Sequence, residues 1–218
     1  MKFIAPSILS ADFKNLSQDI RSIEMGMADW VHCDIMDGRF VPNITFGPMV
    51  VKAVKEITNL TIDSHLMIIE PEKYIEQFAK AGSDFISVHQ EATSHLHRAL
   101  QQIKDCGAKP AVAINPATSI NTLEDIFEEV EMILIMSVNP GFGGQKFIPN
   151  ALNKIKALDS IRKKYDLNFL IQVDGGVTKE NIKTISDAGC DVFVAGSAVF
   201  SSDNITASAV ELKNIINK

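Results

Sequence analysis

Short apolar runs rich in β-branched residues alternate along the chain with longer stretches whose apolar positions recur three and four residues apart. The short runs predict strands at residues 3–9, 30–36, 61–67, 85–89, 111–115, 132–138, 169–174 and 192–196. The longer stretches predict helices at residues 12–25, 48–56, 71–81, 96–106, 123–129, 151–165, 179–188 and 207–216. Punctuation supports these boundaries. Ser10 precedes the first helical pattern, Pro71 sits in the first turn of the third, and Thr178 offers a cap to the seventh. The junctions Ala81-Gly82-Ser83-Asp84-Phe85 and Ala188-Gly189-Cys190-Asp191-Val192 are alike, a faint internal repeat at the passage from helix to strand.

Eight strand-helix units in 218 residues leave about 27 residues each, the length of a compact (β/α)8 TIM barrel of the α/β class. No Pro/Ser/Gly-rich linker or low-complexity segment divides the chain, so a single domain over residues 1–218 is expected. A doubly wound open sheet competes, but it more often opens on a glycine-rich first turn, and here that turn is Ser7-Ile8-Leu9-Ser10-Ala11-Asp12.

In such a barrel, function gathers at the carboxyl ends of the strands. On the second predicted strand His32, Asp34 and Met36 share a face, with Cys33 and Ile35 on the other; on the third, Asp63, His65 and Met67 share a face. An inward carboxylate needs a cation or hydrogen bonds, and one His/Asp pair alone is as readily structural as metal-binding. Two neighbouring strands with the same chemistry favour a divalent ion held by His32, Asp34 and His65, and Asp174 at the end of the seventh strand is the candidate fourth ligand. Zinc, ferrous iron, cobalt and manganese all suit that donor set. Depth is a difficulty: His32 lies two residues, about 6.6 Å along the strand, below Asp34, and an ion between the two levels, reached by the length of the imidazole, would resolve it.

Glycine-rich loops follow the last three strands: Asn139-Pro140-Gly141-Phe142-Gly143-Gly144-Gln145, Gly175-Gly176-Val177 and Gly196-Ser197-Ala198-Val199-Phe200. Each alone reads as a tight turn; three at one end of a barrel suggest backbone amides gathered around a phosphate. Neither a P-loop nor a G-x-G-x-x-G motif is present, which disfavours nucleotide hydrolysis and hydride transfer. The net charge of −6, without a clustered Lys/Arg stripe, disfavours a nucleic-acid partner and requires any anion site to be built locally. Cys33, Cys106 and Cys190, with no C-x-x-C, fit a reducing cytoplasm. The first residues, interrupted by Pro6, do not read as a secretion signal, and no apolar run reaches membrane-spanning length.

The second and seventh strands stand three steps apart on an eight-strand ring, about 135° around the mouth, so Asp34 and Asp174 are expected to flank a ligand. A ketose that loses a proton beside its carbonyl becomes a planar enediolate, and returning the proton to the opposite face inverts that carbon. One acid/base group per face is needed. A metal on the ketose oxygens stabilises the developing charge, and Met36, Met67 and Met136 would line the plane without competing protons.

Residues 6–13, 32–43, 63–67, 137–147 and 173–177 resemble the signature segments of the ribulose-phosphate 3-epimerases. The resemblance implies interconversion of D-ribulose 5-phosphate and D-xylulose 5-phosphate. It implies one divalent metal ion per subunit on His32, Asp34, His65 and Asp174, with Asp34 and Asp174 as the acid/base pair. It further implies sugar contacts from Ser7 and His65, and substrate contacts, largely at phosphate, from Gly141, Phe142, Gly143, Gly144, Gly175, Gly176, Gly196 and Ser197. A homo-oligomer, dimer or hexamer, is implied as well.

Three competitors remain at this level. A ketohexose-6-phosphate 3-epimerase would use the same residues. An aldolase or decarboxylase is expected to place a Lys at a strand end, and none is seen there. A binding-only sugar-phosphate barrel would not need two facing carboxylates. Among the other polar residues, His89 reads as a partner to the metal ligands or as part of a rim network, and His95 and His97 as solvated. Cys33 and Trp30 read as packing residues, and Asp37 as a loop-orienting or turn-forming carboxylate.

Overall fold

In the computed structural model, which describes residues 2–217, the alternation closes into a ring of eight parallel strands. These are β1 (Phe3–Pro6), β2 (Trp30–Met36), β3 (Thr61–Met67), β4 (Phe85–His89), β5 (Lys109–Ile114), β6 (Met132–Met136), β7 (Leu170–Asp174) and β8 (Val192–Ala195). Hydrogen bonding runs in sequence from β2 to β8 and on to β1, and a parallel bridge between Ser7 and His32 joins β1 back to β2. Around the ring stand α1 (Leu16–Met25), α2 (Pro48–Ile57), α3 (Ile75–Ala81), α4 (Leu96–Asp105), α5 (Ala151–Tyr165), α6 (Ile182–Asp187), α7 (Ser197–Phe200) and α8 (Ile205–Ile216).

The strand alternation divides the core in two. Outward residues such as Val31, Cys33, Ile35, Leu66, Val112 and Ile171 pack beneath the helices, which is why these strands read as nearly continuous apolar runs. Inward residues fill the barrel floor, where Trp30 stacks between Phe3 and Phe85 at centroid distances of 5.5 and 4.7 Å.

Several predicted boundaries move, each for a local reason. The first strand stops at Pro6 because the Ser7 hydroxyl accepts from Leu9 N and caps a 3-10 turn over Ile8–Ser10. The first helix begins at Leu16, after Asn15, so Ser10 is not its cap. The intervening residues are held in a turn where Asp12 accepts from Lys14 N and Asp19 accepts from Asp12 N. The pattern at 71–81 splits at Tyr74 into a 3-10 turn, Pro71–Lys73, and α3. The pattern at 123–129 is a 3-10 helix, Ile120–Ile126, and its apolar Ile120, Leu123 and Ile126 fall at the three-residue period of that helix. The seventh helical pattern narrows to α6 behind Asn181, whose side chain accepts from Thr178 N and donates to Gly176 O. The short α7, directly after the last glycine-rich loop, has too few residues to show a helical period in sequence.

Candidate functional site

Parallel register brings the polar residues of β2 and β3 level with each other. Asp34 lies opposite His65, Met36 opposite Met67, and His32 opposite Asp63; across the ring Met136 lies opposite Asp174. The depth difficulty at His32 disappears because its ring reaches upward, putting Nε2 3.3 Å from Asp34 Oδ1. His65 Nδ1 is 3.1 Å from the same oxygen and 3.8 Å from Asp174 Oδ2. One donor atom from each of His32, Asp34, His65 and Asp174 lies within 4.8 Å of the others, a cluster that could hold a metal ion.

Orientation of these groups favours a cation as well. His32 Nδ1 meets Asp63 Oδ2 at 2.7 Å, and Gln172 Nε2 donates to that same oxygen at 2.6 Å. The carboxylate keeps a His32 proton on Nδ1, and Nε2, fully buried, finds no hydrogen-bond partner among the described residues. A buried, unpartnered ring nitrogen aimed at two carboxylates is what a metal ligand looks like before the ion is added. Asp34 is anchored on its other oxygen by Ser7 Oγ, which donates at 2.5 Å.

The two aspartates are pulled in opposite directions. Burial works against the Asp34 charge, but His32 and His65 outweigh it and hold the carboxyl far below the usual range. At Asp174, burial and the neighbouring Asp34 charge push the carboxyl up to about 6. One carboxylate is thus fixed in its ionised form, and the other can carry a proton near neutrality. Burial opposes a charge on His32 too, yet Asp34 and Asp63 raise it well above the ordinary imidazole value. The same two carboxylates that draw a second proton to His32 would draw a metal cation to Nε2 in its place.

Above the cluster the mouth forms a cleft. Ser7, Asp34 and Asp174 line its base, and Met36, Met67 and Met136 line its walls. The cleft's far side is made by Gly141, Phe142, Gly143 and Gly144 after β6, Gly175 and Gly176 after β7, and Gly196 and Ser197 ahead of and within α7. His32 and His65 lie fully buried beneath. No Lys or Arg lines the cleft among the described residues, so an anion there meets backbone amides.

Two of these glycines are sterically required. Gly175 has φ +115° and a Cβ would lie 2.4 Å from Val138 Cγ2; Gly176 has φ +65° and a Cβ would lie 2.4 Å from Phe147 N. Ser137 holds the strand end above them, donating to the carbonyls of Asp174 and Gly175 at 2.9 and 2.6 Å. The loop after β2 is tied down by Asp37, which accepts from Arg39 N, Phe40 N and Ile69 N, and by Asn43, which donates to Gly141 O at 2.9 Å. Asp37 therefore orients the loop as well as forming the turn.

Some residues take contacts that the sequence did not assign to them. Asp63 and Gln172 orient His32, and their only signal was the alternation placing both inward. Ser10, read as a helix cap, instead lines the cleft beside Gly196. His89 meets His65 directly, Nε2 to Nε2 at 2.8 Å, and its Nδ1 meets Glu91 at 3.1 Å. Burial pulls His89 down to about 4; Glu91, despite its own burial, is held at about 2 by His89, Thr118 and Asn115 N. His95 and His97 are not buried, and Cys33 is a buried thiol whose burial raises it well above the ordinary value.

Comparison with solved structures bears on the fold. KGPDC from Streptococcus mutans superposes with a TM-score of 0.79 at 15% identity, covering 99% of this chain and 97% of that one. A 3-hexulose-6-phosphate synthase superposes with a TM-score of 0.71 at 18% identity, covering 99% and 100%. Sequence relatives lie much nearer. The ribulose-phosphate 3-epimerase of Synechocystis sp. is 51% identical over 97% of this chain and 93% of its own length. That of Bacillus subtilis is 49% identical over 96% and 97%. The chloroplastic ribulose-5-phosphate-3-epimerase of Arabidopsis thaliana is 47% identical over 96% and 75%. The profile described as the Ribulose-phosphate 3 epimerase family matches residues 3–200, from the first strand through the last glycine-rich loop. With that match and those identities, the chain belongs to the ribulose-phosphate 3-epimerase family.

Proposed function

We propose that this chain is a metal-dependent 3-epimerase that interconverts D-ribulose 5-phosphate and D-xylulose 5-phosphate through an enediolate, with residues 1–218 acting as one catalytic domain. The observation that carries the proposal is Asp34 and Asp174 at the base of one cleft, beside a donor cluster and under glycine-rich loops, in a chain of this family. The relatives' names favour a pentose phosphate over the hexulose phosphate alternative.

A divalent ion held by His32 Nε2, Asp34, His65 Nδ1 and Asp174 would supply Lewis-acid stabilisation of the negative charge on the ketose oxygens, zinc, ferrous iron, cobalt and manganese all being suited to these donors. The chain's own residues do the rest. One aspartate takes the C3 proton from one face of the sugar and the other returns a proton from the opposite face; their roles exchange when the reaction runs backward. Ser7 fixes the Asp34 carboxylate and offers its hydroxyl at the sugar, and His65 lies buried against Asp34. Met36, Met67 and Met136 border the planar intermediate and carry no exchangeable proton. Amides of residues 141–144, 175–176 and 196–197 bind the phosphate, which keeps the substrate in one orientation through both proton transfers.

The sugar phosphate is the proposed small-molecule partner, and a homodimer or homohexamer the proposed assembly. A cytoplasmic location suits three free cysteines, and no helix among the described residues is long and apolar enough to cross a membrane. The deciding experiment is proton NMR of D-ribulose 5-phosphate with metal-analysed protein in deuterated water. Xylulose 5-phosphate carrying deuterium only at C3, with loss of activity on chelation, supports the proposal. Faster turnover of a hexulose 6-phosphate would move the substrate, and absence of exchange with both sugars would leave a binding barrel.

A further inference from the structure

His65 differs from His32 in which ring nitrogen faces the carboxylates. His32 presents Nε2 and is braced at Nδ1 by Asp63; His65 presents Nδ1, and its Nε2 points away, toward His89. The His65 and His89 ring centroids are 5.0 Å apart and the planes differ by only 28°, with the two Nε2 atoms 2.8 Å apart. The rings therefore meet edge to edge in hydrogen-bond geometry. Beyond His89, Nδ1 meets Glu91 Oε2 at 3.1 Å, while Glu91 Oε1 accepts from Asn115 N at 2.8 Å and from the Thr118 hydroxyl. Lys154 Nζ fastens the loop that supplies those donors, reaching the carbonyls of Asn115, Pro116 and Thr118 at 2.9, 2.9 and 2.6 Å. Phe40, 4.6 Å from the His89 ring by centroids, covers the chain of contacts from the mouth.

We propose that His89 and Glu91 are positioning residues that set the tautomer of His65, leaving its Nδ1 free to bind a divalent cation. An ionised carboxylate only accepts hydrogen bonds, so the Glu91 contact assigns the His89 proton to Nδ1. A neutral His89 then offers a lone pair at Nε2, which can be satisfied only if His65 Nε2 carries a proton. That leaves His65 Nδ1, within hydrogen-bond distance of Asp34 at 3.1 Å and 3.8 Å from Asp174, as the nitrogen whose lone pair can meet a cation held between the two carboxylates. The opposite arrangement, with His89 donating to His65 Nε2, would put the remaining proton on Nδ1 and remove it as a ligand. Glu91 thus acts on the cation site through two imidazoles, from the far end of β4, without touching the ion.

The proposal rests on the divalent-ion site above, so the test is built to tell the two apart. Zinc affinity is measured by competition with a chromophoric chelator for wild type, Asp174→Asn, Glu91→Ala, His89→Phe and His89→Gln. The tautomer of His65 is read by nitrogen-15 NMR of the metal-free protein. Expected are one zinc per wild-type chain, weakened by Asp174→Asn, and a further signature: Glu91→Ala and His89→Phe each weaken zinc by about 10–100-fold. His89→Gln, whose amide oxygen can still accept from His65 Nε2, should recover most of the affinity. Wild-type affinity in both Glu91→Ala and His89→Phe, or a His65 protonated at Nδ1, would overturn the relay and leave the metal site standing. A wild-type chain that takes up no zinc would overturn the metal site, and the relay with it. Glu91 is at the barrel rim, so its variant keeps the test open if the buried His89 variants fail to fold.

Discussion

Asp34 and Asp174 are chemically the same residue held in two states by their surroundings. Asp34 accepts from Ser7 and sits between two imidazoles, whereas Asp174 has burial and a neighbouring negative charge to contend with. Replacing either by Asn removes the acid/base function while nearly preserving shape. Asp34→Asn and Asp174→Asn are each expected to lower turnover by about 10²–10⁴-fold in a protein with native circular dichroism. Deuterium exchange at substrate C3 checks this, and near-normal turnover by either variant, with metal bound, would exclude two-carboxylate chemistry. His32→Ala should act differently, mainly through lost metal occupancy, because its ring nitrogen is a ligand rather than a proton carrier in the proposed reaction.

The loops depend on backbone conformations that only particular residues allow. Gly176 combines φ +65° with a Cβ position 2.4 Å from the backbone nitrogen of Phe147, which cannot swing aside as a side chain could. Gly176→Ala is therefore expected to cost about 1–3 kcal/mol of stability, seen in urea denaturation, and to raise KM for the sugar phosphate more than it lowers kcat. An unchanged KM would argue that this loop does not touch the phosphate. At the opposite end of the barrel, Arg162 on α5 donates to Phe169 O and Gly189 O at 3.2 and 2.9 Å, and pairs with Asp159 and Asp191; Asp191 also accepts from Ile171 N at 2.9 Å. With only 12% of the Asp191 side chain exposed, Arg162→Ala strands its carboxylate and should cost about 3 kcal/mol, again read from urea midpoints. Activity below the melting range should survive, because this pin is remote from the cleft.

Acid resistance is a property of the whole molecule. Glu91 is held at about 2, from an ordinary 4.5, and Asp159 is held below its ordinary 3.8 by Lys163 and Arg162 against the effect of burial. Both folded-state values are depressed, so the stabilisation they bring is fully present above pH 4.5 and is lost as pH falls through the folded values. The urea midpoint should thus fall between pH 4.5 and 2, with a shallower fall in Glu91→Gln; a midpoint that rises on acidification would contradict the assignment. The eight-unit barrel, the inward faces of β2 and β3 and the candidate phosphate-binding glycines were all legible in sequence, because strand and helix periods are local and three glycine-rich loops fall at one end of the barrel, where one alone would read as a turn. The 3-10 segments and α7 were not, being too short to show a period. Asp34, Asp174 and the His pair could be named from sequence and family resemblance. The distances at which they meet, within 4.8 Å, the bracing of His32 by Asp63 and Gln172, and the path from Glu91 through His89 to His65 came only from tertiary structure. Sequence determines which face a strand side chain occupies, since alternation is built into the backbone. Which ring nitrogen holds the proton, and which carboxylate holds the charge, depends on partners brought from other strands by closure of the barrel.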